Sequence, residues 1–421
     1  MAKTIIKAVK GMRDFYPEQW EFQKWLSNKW LRLGNLFGYQ EYETPILEPI
    51  ELYLEKTSEE IVNKQTFTVP DRGGNILVMR PELTPSFARL VAQKEQELTM
   101  PIRWQSYGRF FRYEKPQRGR GRSFYQWNID ILGSDSILAD AEMLTIASKC
   151  LQILDLSPTN VKIKISDRNV MHTLMEERLG IKKNLHTPLF RLIDKIDKMR
   201  KEKFDLELQN IGLDDSQIEK FYQLMNEKNP SISPKLEKIF EILKQNNVAE
   251  YCEIDLKIIR GFDYYTGTVF EAWGNSTLKR SLFGGGRYDN LTKQIGGKKE
   301  LPGVGFAVGD MTMFEILTEL DKMPKLKASK TKVLVTIFSK DFINEAIELS
   351  TQLRENNINT ELFLKSKKLK KQFKYANKKN INNVVVIGED EVKNNSFVLK
   401  NLRESKQETF NLQELIEILK E

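Results

Sequence analysis

The stretch from Arg109 to Gly133, RFFRYEKPQRGRGRSFYQWNIDILG, constrains the fold more than any other part of the chain. Phe110, Arg112 and Glu114 fall on one face by period-two alternation, with Phe111 and Tyr113 on the other. Beyond a basic turn, Phe124, Gln126, Asn128 and Asp130 share a face, and Tyr125, Trp127, Ile129 and Ile131 share its opposite. This pattern predicts a β-hairpin with one core side and one side carrying Arg, Glu, Gln and Asp on a sheet rigid enough to hold them. The tip sets Lys115, Arg118, Arg120 and Arg122 among Gly119 and Gly121, which suits a mobile loop closing on phosphates. A two-sided antiparallel pair with a solvated basic turn is the plainer reading of the same text.

The 421 residues are enough for two or three domains at roughly 100–200 residues each. Hydrophobic content of 40% and charged content of 29% are those of a soluble globular protein. The net charge of +8 leans towards a polyanionic partner, although surface lysines alone produce such a value. Cys150 and Cys252 have no metal-ligand spacing and little disulfide capacity, which fits a reducing compartment and inert packing roles. The N-terminus has no signal-like apolar core and no run approaches a membrane span, so a cytoplasmic protein away from membranes is expected. His172 and His186 lie in helical, basic text with no triad or ligand partner in sequence, and a surface or structural role is expected for both.

Residues Pro17 to Phe37 place Trp20, Trp25, Trp30, Leu31 and Leu33 at helical spacing, and Gly38 ends that helix. Core packing is the expected role of the tryptophan stripe. The next segment, YQEYETPILEPIELY, is extended, with Pro45 and Pro49 fixing its backbone. Charged helical text interrupts the strand-rich chain over residues 171–233, dividing a first part (1–170) from a second (234–325). A lysine-rich linker, MPKLKASKTK, precedes alternating β and α text over 330–421, which predicts a small α/β domain with a largely parallel core.

Several motifs carry a resemblance. The hairpin resembles the second signature motif of class II aminoacyl-tRNA synthetases. RGFDYYTGTVFE (Arg260 to Glu271) looks like the histidine-binding signature of the histidyl-tRNA synthetase family, and RPELTPSFARL (Arg80 to Leu90) resembles its amino-group-binding segment. KGMRDFYP near the N-terminus and FGGGRYDNL (Phe283 to Leu291) also match, so the resemblance runs along nearly the whole chain. It implies an α+β catalytic domain built on the class II antiparallel sheet, a helical insertion and a C-terminal α/β anticodon-binding domain. It also implies a homodimer, formed through the long helix and the proline-marked strand. The implied activity is the attachment of histidine to tRNA(His), with ATP as substrate and Mg2+ accompanying it. No motif for a structural metal is present. The competing reading is the synthetase-like regulatory subunit of ATP phosphoribosyltransferase, and a sequence-tolerant nucleic-acid binder is a third.

Activation brings a carboxylate onto the α-phosphate of ATP, so two anions must be neutralised and aligned. By resemblance, Arg112 holds the α-phosphate and the histidine carboxylate, Glu114 sits by the adenine amino group, Arg120 reaches the terminal phosphates and Phe124 stacks on adenine. Arg260 is the implied distinctive cation touching both carboxylate and α-phosphate; a strand-end arginine bound to Asp263 is its structural alternative. Asp130 and Tyr264 are implied readers of the two imidazole nitrogens, with Tyr265 adjacent. Glu82, Leu83 and Thr84, together with Gln126, form the implied α-amino site, and Glu82 and Thr84 also suit a helix N-cap. Adjacent tyrosines in a strand face opposite ways, so either one is packing or a turn admits both. Lys365, Lys367, Lys368, Lys370 and Lys371 are candidate tRNA phosphate contacts. The text departs from the family at Thr312, which stands in PGVGFAVGDMT where the third class II motif usually carries an arginine.

Overall fold

The computed structural model describes residues 5–54, 65–196, 199–227, 233–259, 264–365 and 367–420. The chain divides into two compact units, Gln23–Pro324 with the N-terminal segment up to Asp14, and Phe15–Phe22 with Lys325–Glu421.

The strands of the first unit are β1 (Gln40–Glu41), β2 (Leu47–Pro49), β3 (Phe67–Pro70), β4 (Ile76–Met79), β5 (Ile102–Phe111), β6 (Ser123–Leu132), β7 (Val161–Asp167), β8 (Cys252–Ile254), β9 (Thr268–Gly274), β10 (Ser281–Tyr288) and β11 (Gly303–Gly309). Eight of them form one sheet in the order β1-β5-β6-β11-β10-β9-β7-β8. The six central strands are antiparallel, and parallel pairing appears only where β1 joins β5 and β8 joins β7. The expected antiparallel sheet is therefore present, with a parallel strand added at each edge. Its core side is aromatic: Trp127 is fully buried and stacks on Trp30 of the helix Pro17–Leu36 with centroids 6.1 Å apart. The tryptophan stripe divides, since Trp30 is core while Trp20 is 40% exposed.

Between β7 and β8 the chain turns helical. The helices Arg168–Glu177, His186–Ile193, Lys201–Asn210 and Asp215–Met225 share a core of their own, including Met171, Leu189, Phe204, Phe221 and Leu224. An Asp214–Gln217 capping box starts the last of these, satisfying end donors that no helical partner reaches. His172 and His186 turn out to partner one another, Nδ1 to Nδ1 at 2.6 Å, with His186 Nε2 also 3.2 Å from the Ile181 carbonyl. Cys150 and Cys252 are buried free thiols whose pKa values burial pushes up, that of Cys252 to about 12.

The second unit contains β12 (Val333–Val335), β13 (Thr360–Leu362), β14 (Asn383–Val386), β15 (Phe397–Asn401) and β16 (Lys406–Phe410), in the order β13-β12-β14-β15-β16. Period-two alternation serves both faces. Val333 and Val335 pack with Leu349, Leu353 and Leu415 on one side, while Leu334 packs with Ala376 and Ile381 on the other. The parallel core predicted from sequence is confined to β13-β12-β14; β15 and β16 add an antiparallel hairpin that the text did not announce. Its strands are short, and β16 is exposed for all but its last residue, so no alternating apolar signal marks it.

Candidate active site

A cleft of about 1080 Å³ lies on the polar side of the large sheet. It is lined by Glu82, Thr84, Arg112, Glu114, Arg120, Phe124, Gln126, Asp130, Tyr264 and Tyr265, so the structure brings these sequence-predicted residues together. Leu83 does not line the cleft; it is buried at the N-cap of the helix Thr84–Lys94. Arg260 and Asp263 lie outside the described residues.

The hairpin holds the site through its register. Phe110 faces Phe124 and Trp104 faces Asp130 across β5 and β6. The first strand ends at Phe111, so Arg112 and Glu114 stand just beyond it rather than within it, although the Arg112 N–H still donates to the Arg122 carbonyl at 3.1 Å. The tip is tied down. Arg118 reaches Glu315 (2.7 Å), Glu319 (2.8 Å) and Thr277 (2.6 Å), and Arg122 lies over the Tyr113 ring at 4.0 Å. The segment before Glu82 is pinned as well. Arg80, only 1% exposed, pairs with Glu43 and donates to the carbonyls of Thr44 (2.9 Å) and Arg109 (3.1 Å).

One part of the cleft is a buried set of acids and tyrosines. Tyr288 donates to Asp130 Oδ1 at 2.6 Å, and Tyr264 donates to Glu82 Oε2 at 3.1 Å. Burial pushes the Asp130 pKa up to about 7, opposed by the Tyr288 hydroxyl; burial and the Asp130 charge keep Tyr288 protonated as donor. The carboxylate fits only because residue 305, opposite it on β11, is glycine: a Cβ there would lie 1.9 Å from Asp130 Oδ1. Gln126 donates to Asn128 Oδ1 at 2.7 Å, and Asn128 Nδ2 is buried with no partner among the described residues. Tyr264 and Tyr265 stand in the connection before β9, outside any strand, and both line the cleft; Gly286 leaves room for the Tyr265 ring. The N-cap position of the helix Thr84–Lys94 falls on Leu83, without a side-chain cap bond, rather than on Glu82 or Thr84.

The other part is basic and lies at strand ends and turns. Arg112 donates through Nε to the Pro81 carbonyl (2.9 Å) and lies over Phe124 at 5.4 Å. Burial lowers its pKa, while Glu114 and Glu82 act to raise it. Arg120 pairs with Glu114. Arg280, in the β9–β10 connection, also lines the cleft and donates to the Gly119 carbonyl at 3.1 Å. Thr312 lies in the first turn of the helix Asp310–Glu319, and its hydroxyl donates to the carbonyls of Leu282 (2.7 Å) and Gly309 (3.2 Å). Asp310 is fully buried and accepts from Arg13 (2.7 Å), Gln23 (2.7 Å) and the Tyr125 N–H (2.9 Å). This explains the N-terminal KGMRD text as a clasp on the hairpin.

Sequence reasoning missed Tyr288 and Arg280 as cleft residues, and placed Asn128 on the polar face without giving it a role. Tyr288 was in view inside FGGGRYDNL, but its hydroxyl had no visible partner there. Among the described residues there is no group of three or more His, Cys, Asp or Glu that could hold a metal.

A family model described as histidyl-tRNA synthetase matches residues 11–313, and one described as an anticodon binding domain matches residues 332–421. The chain belongs to the histidyl-tRNA synthetase family. A histidine–tRNA ligase of Leptospira biflexa is 35% identical, with 100% of this chain and 98% of that protein aligned. One from Pyrococcus furiosus is 33% identical over 99% of each. In fold, the chain is similar to the crystal structure of a histidyl-tRNA synthetase from Nostoc, with a TM-score of 0.81 at 24% identity and 99% of each chain covered. The class II fold of the histidyl-tRNA synthetase family thus accounts for the sheet, and the cleft lies on the sheet's polar face.

Proposed function

We propose that this chain activates histidine with ATP to histidyl-adenylate and transfers the histidine to the 3′ end of tRNA(His). The observation that carries the reading is the position of Arg112. It lines the cleft, donates to the Pro81 carbonyl next to Glu82 and lies over the Phe124 ring, and so stands where the acid–tyrosine set and the basic cluster meet. A guanidinium there can bridge two anions, the histidine carboxylate and the α-phosphate, with its planar fork. In this reading the carboxylate oxygen attacks the α-phosphorus, the bond to the β-phosphate bridging oxygen breaks, and pyrophosphate leaves. The tRNA terminal hydroxyl then displaces AMP from the acyl carbon.

Asp130, held by Tyr288, accepts an imidazole N–H. Glu82, Thr84 and Gln126 receive the ammonium, with Tyr264 orienting Glu82. Tyr265 closes the histidine pocket, and Leu83 supports the segment from below. Phe124 and Glu114 meet adenine, Arg120 the terminal phosphates, and Arg260 the carboxylate and α-phosphate. Magnesium is ordinarily held by one or two carboxylates together with phosphates and water. Glu271 lines the cleft and suits that arrangement, and the ion would neutralise phosphate charge.

Residues 1–170 and 234–325 are assigned the catalytic work, 171–233 the helical insertion, and 330–421 tRNA recognition. For the last, Lys370, Lys374 and Lys378 line a groove with Phe373 on the helix Leu369–Lys378, a basic stripe suited to phosphates. A homodimer is supported by the small sheet β2-β4-β3. Cross-strand neighbours Leu47, Met79 and Phe67, then Pro49, Leu77 and Val69, share one face, and Leu47 and Val69 are 43% and 38% exposed. No helix among the described residues is long and apolar enough to cross a membrane, and we assign the protein to the cytoplasm.

Histidine-dependent ATP–pyrophosphate exchange tests the reading. Exchange with histidine and not with other amino acids is expected. Its absence would favour the regulatory-subunit alternative, to which Thr312 lends its only support.

A further inference from the structure

A triphosphate entering this cleft carries more negative charge than Arg112 can meet, so its outer phosphates need cations of their own. The helix Asp310–Glu319 presents none at its start. Asp310 is buried and fully engaged, Met311 is apolar, and the Thr312 hydroxyl is spent on the Leu282 carbonyl. Nor do the tip arginines fill the gap evenly. Arg118 is drawn to Glu315 and Glu319, Arg122 lies over Tyr113, and Arg120 is already paired with Glu114.

Arg280 differs from all of these. It lines the cleft, packs its stem against Gly119 at the hairpin tip, and among the described residues makes no ion pair. Two residues on, Leu282 receives the Thr312 hydroxyl, so Arg280 enters the cleft beside the position where the helix lacks a cation. Arg280, Arg112 and Arg120 with Glu114 amount to three positive charges against one negative. The crowding is felt: burial, then the Arg120 charge, hold the Arg280 pKa below the ordinary arginine value. A polyanion is the ligand that relieves such repulsion.

We propose that Arg280 binds the terminal phosphates of ATP and supplies the cation that position 312 lacks. This rests on the ligase reading above. As pyrophosphate departs with the electrons of the broken α–β bridge, Arg280 stabilises the charge that accumulates on the leaving group. It touches the substrate and acts directly.

The test compares binding of ATP and of AMP, which lacks the outer phosphates, to the full-length wild type, Arg280→Ala and Arg280→Lys by calorimetry. Loss of a charge-assisted hydrogen bond is expected to weaken ATP by about 10–100-fold in Arg280→Ala. AMP affinity is expected to stay within about two-fold, a change too small for such a bond. Arg280→Lys keeps the stem and the charge but not the fork, and should fall between. It also stands in if Arg280→Ala does not fold. Exchange assays should show the ATP KM rising and kcat falling, with the histidine KM unchanged. ATP affinity unchanged in both variants, or equal losses for ATP and AMP, would overturn the proposal. A wild type that binds ATP but shows no histidine-dependent exchange would instead sink the ligase reading, leaving the ATP–AMP comparison to judge Arg280 by itself.

Discussion

The two parts of the cleft are built on different principles. The acid–tyrosine set stands on sheet strands and the segments leading into β9 and the helix Thr84–Lys94, is almost wholly buried, and has its partners fixed before any ligand arrives: Tyr288 on Asp130 and Tyr264 on Glu82. The basic cluster stands on strand ends and connections, is more open, and keeps excess positive charge; Arg120 is 40% exposed by side chain. The first arrangement suits selection of a small ring by shape and hydrogen bonding, because a mismatched partner leaves a buried group unpaired. The second suits charge neutralisation, which tolerates small displacements but needs net charge. Arg112 joins the two.

The sharpest way to break this division is at the joint. Arg112→Ala should affect both parts together, lowering exchange kcat by about 10²–10³-fold, as loss of one preorganised donor commonly does. A change confined to the KM for ATP would show that Arg112 belongs to the basic part alone.

Asp130→Asn should separate the parts. Replacing the carboxylate acceptor of a buried N–H by a neutral amide, which must also turn its oxygen to that N–H, is expected to raise the histidine KM by about 1–3 kcal/mol equivalent while sparing the ATP KM. The pH dependence has a definite sign. With a folded pKa of about 7, Asp130 holds its proton where an unfolded aspartate, near about 4, has lost it. Between those values the folded state binds more protons, so its contribution to stability falls as pH rises and levels off above about 7. Chemical denaturation across that window should show a shallower slope in Asp130→Asn. Histidine kcat/KM in the wild type should rise through about pH 7 as the acceptor ionises, and this limb should be lost in the variant.

Gly305→Ala sharpens the same point without touching a charge. Its Cβ would sit 1.9 Å from Asp130 Oδ1, so the carboxylate must move. A stability loss of about 1–3 kcal/mol in urea denaturation and a raised histidine KM are expected, with the ATP KM unaffected. The smallest effect belongs to Thr312→Val, which removes the hydroxyl shared between the Leu282 and Gly309 carbonyls and should cost about 1 kcal/mol of stability with exchange retained. A large loss of exchange there would mean that the hydroxyl meets the substrate.

The legible parts of this molecule were those encoded in local periodicity or contiguous motifs. The alternation through Phe124, Gln126, Asn128 and Asp130 placed three polar side chains on the cleft face of β6, and the βα text after residue 330 placed a separate sheet. The hairpin β15–β16 was illegible because its half-exposed strands have no apolar alternation. The position of Tyr264 and Tyr265 was open because the sequence did not say whether a strand or a turn carried them.

By itself, then, the sequence determined the order of motifs, the two-faced hairpin and the separate βα unit after residue 330, since each depends on residues within a few positions of one another. Only the tertiary structure decided the pairings. Tyr288 meets Asp130 across 158 positions, Arg280 comes to rest on the hairpin tip 161 positions from Gly119, and the chain's two histidines close on each other. Such contacts depend on strand order and register, which no local pattern specifies: β10 reaches β6 only through β11, and one residue of slip would turn Asp130 into the core.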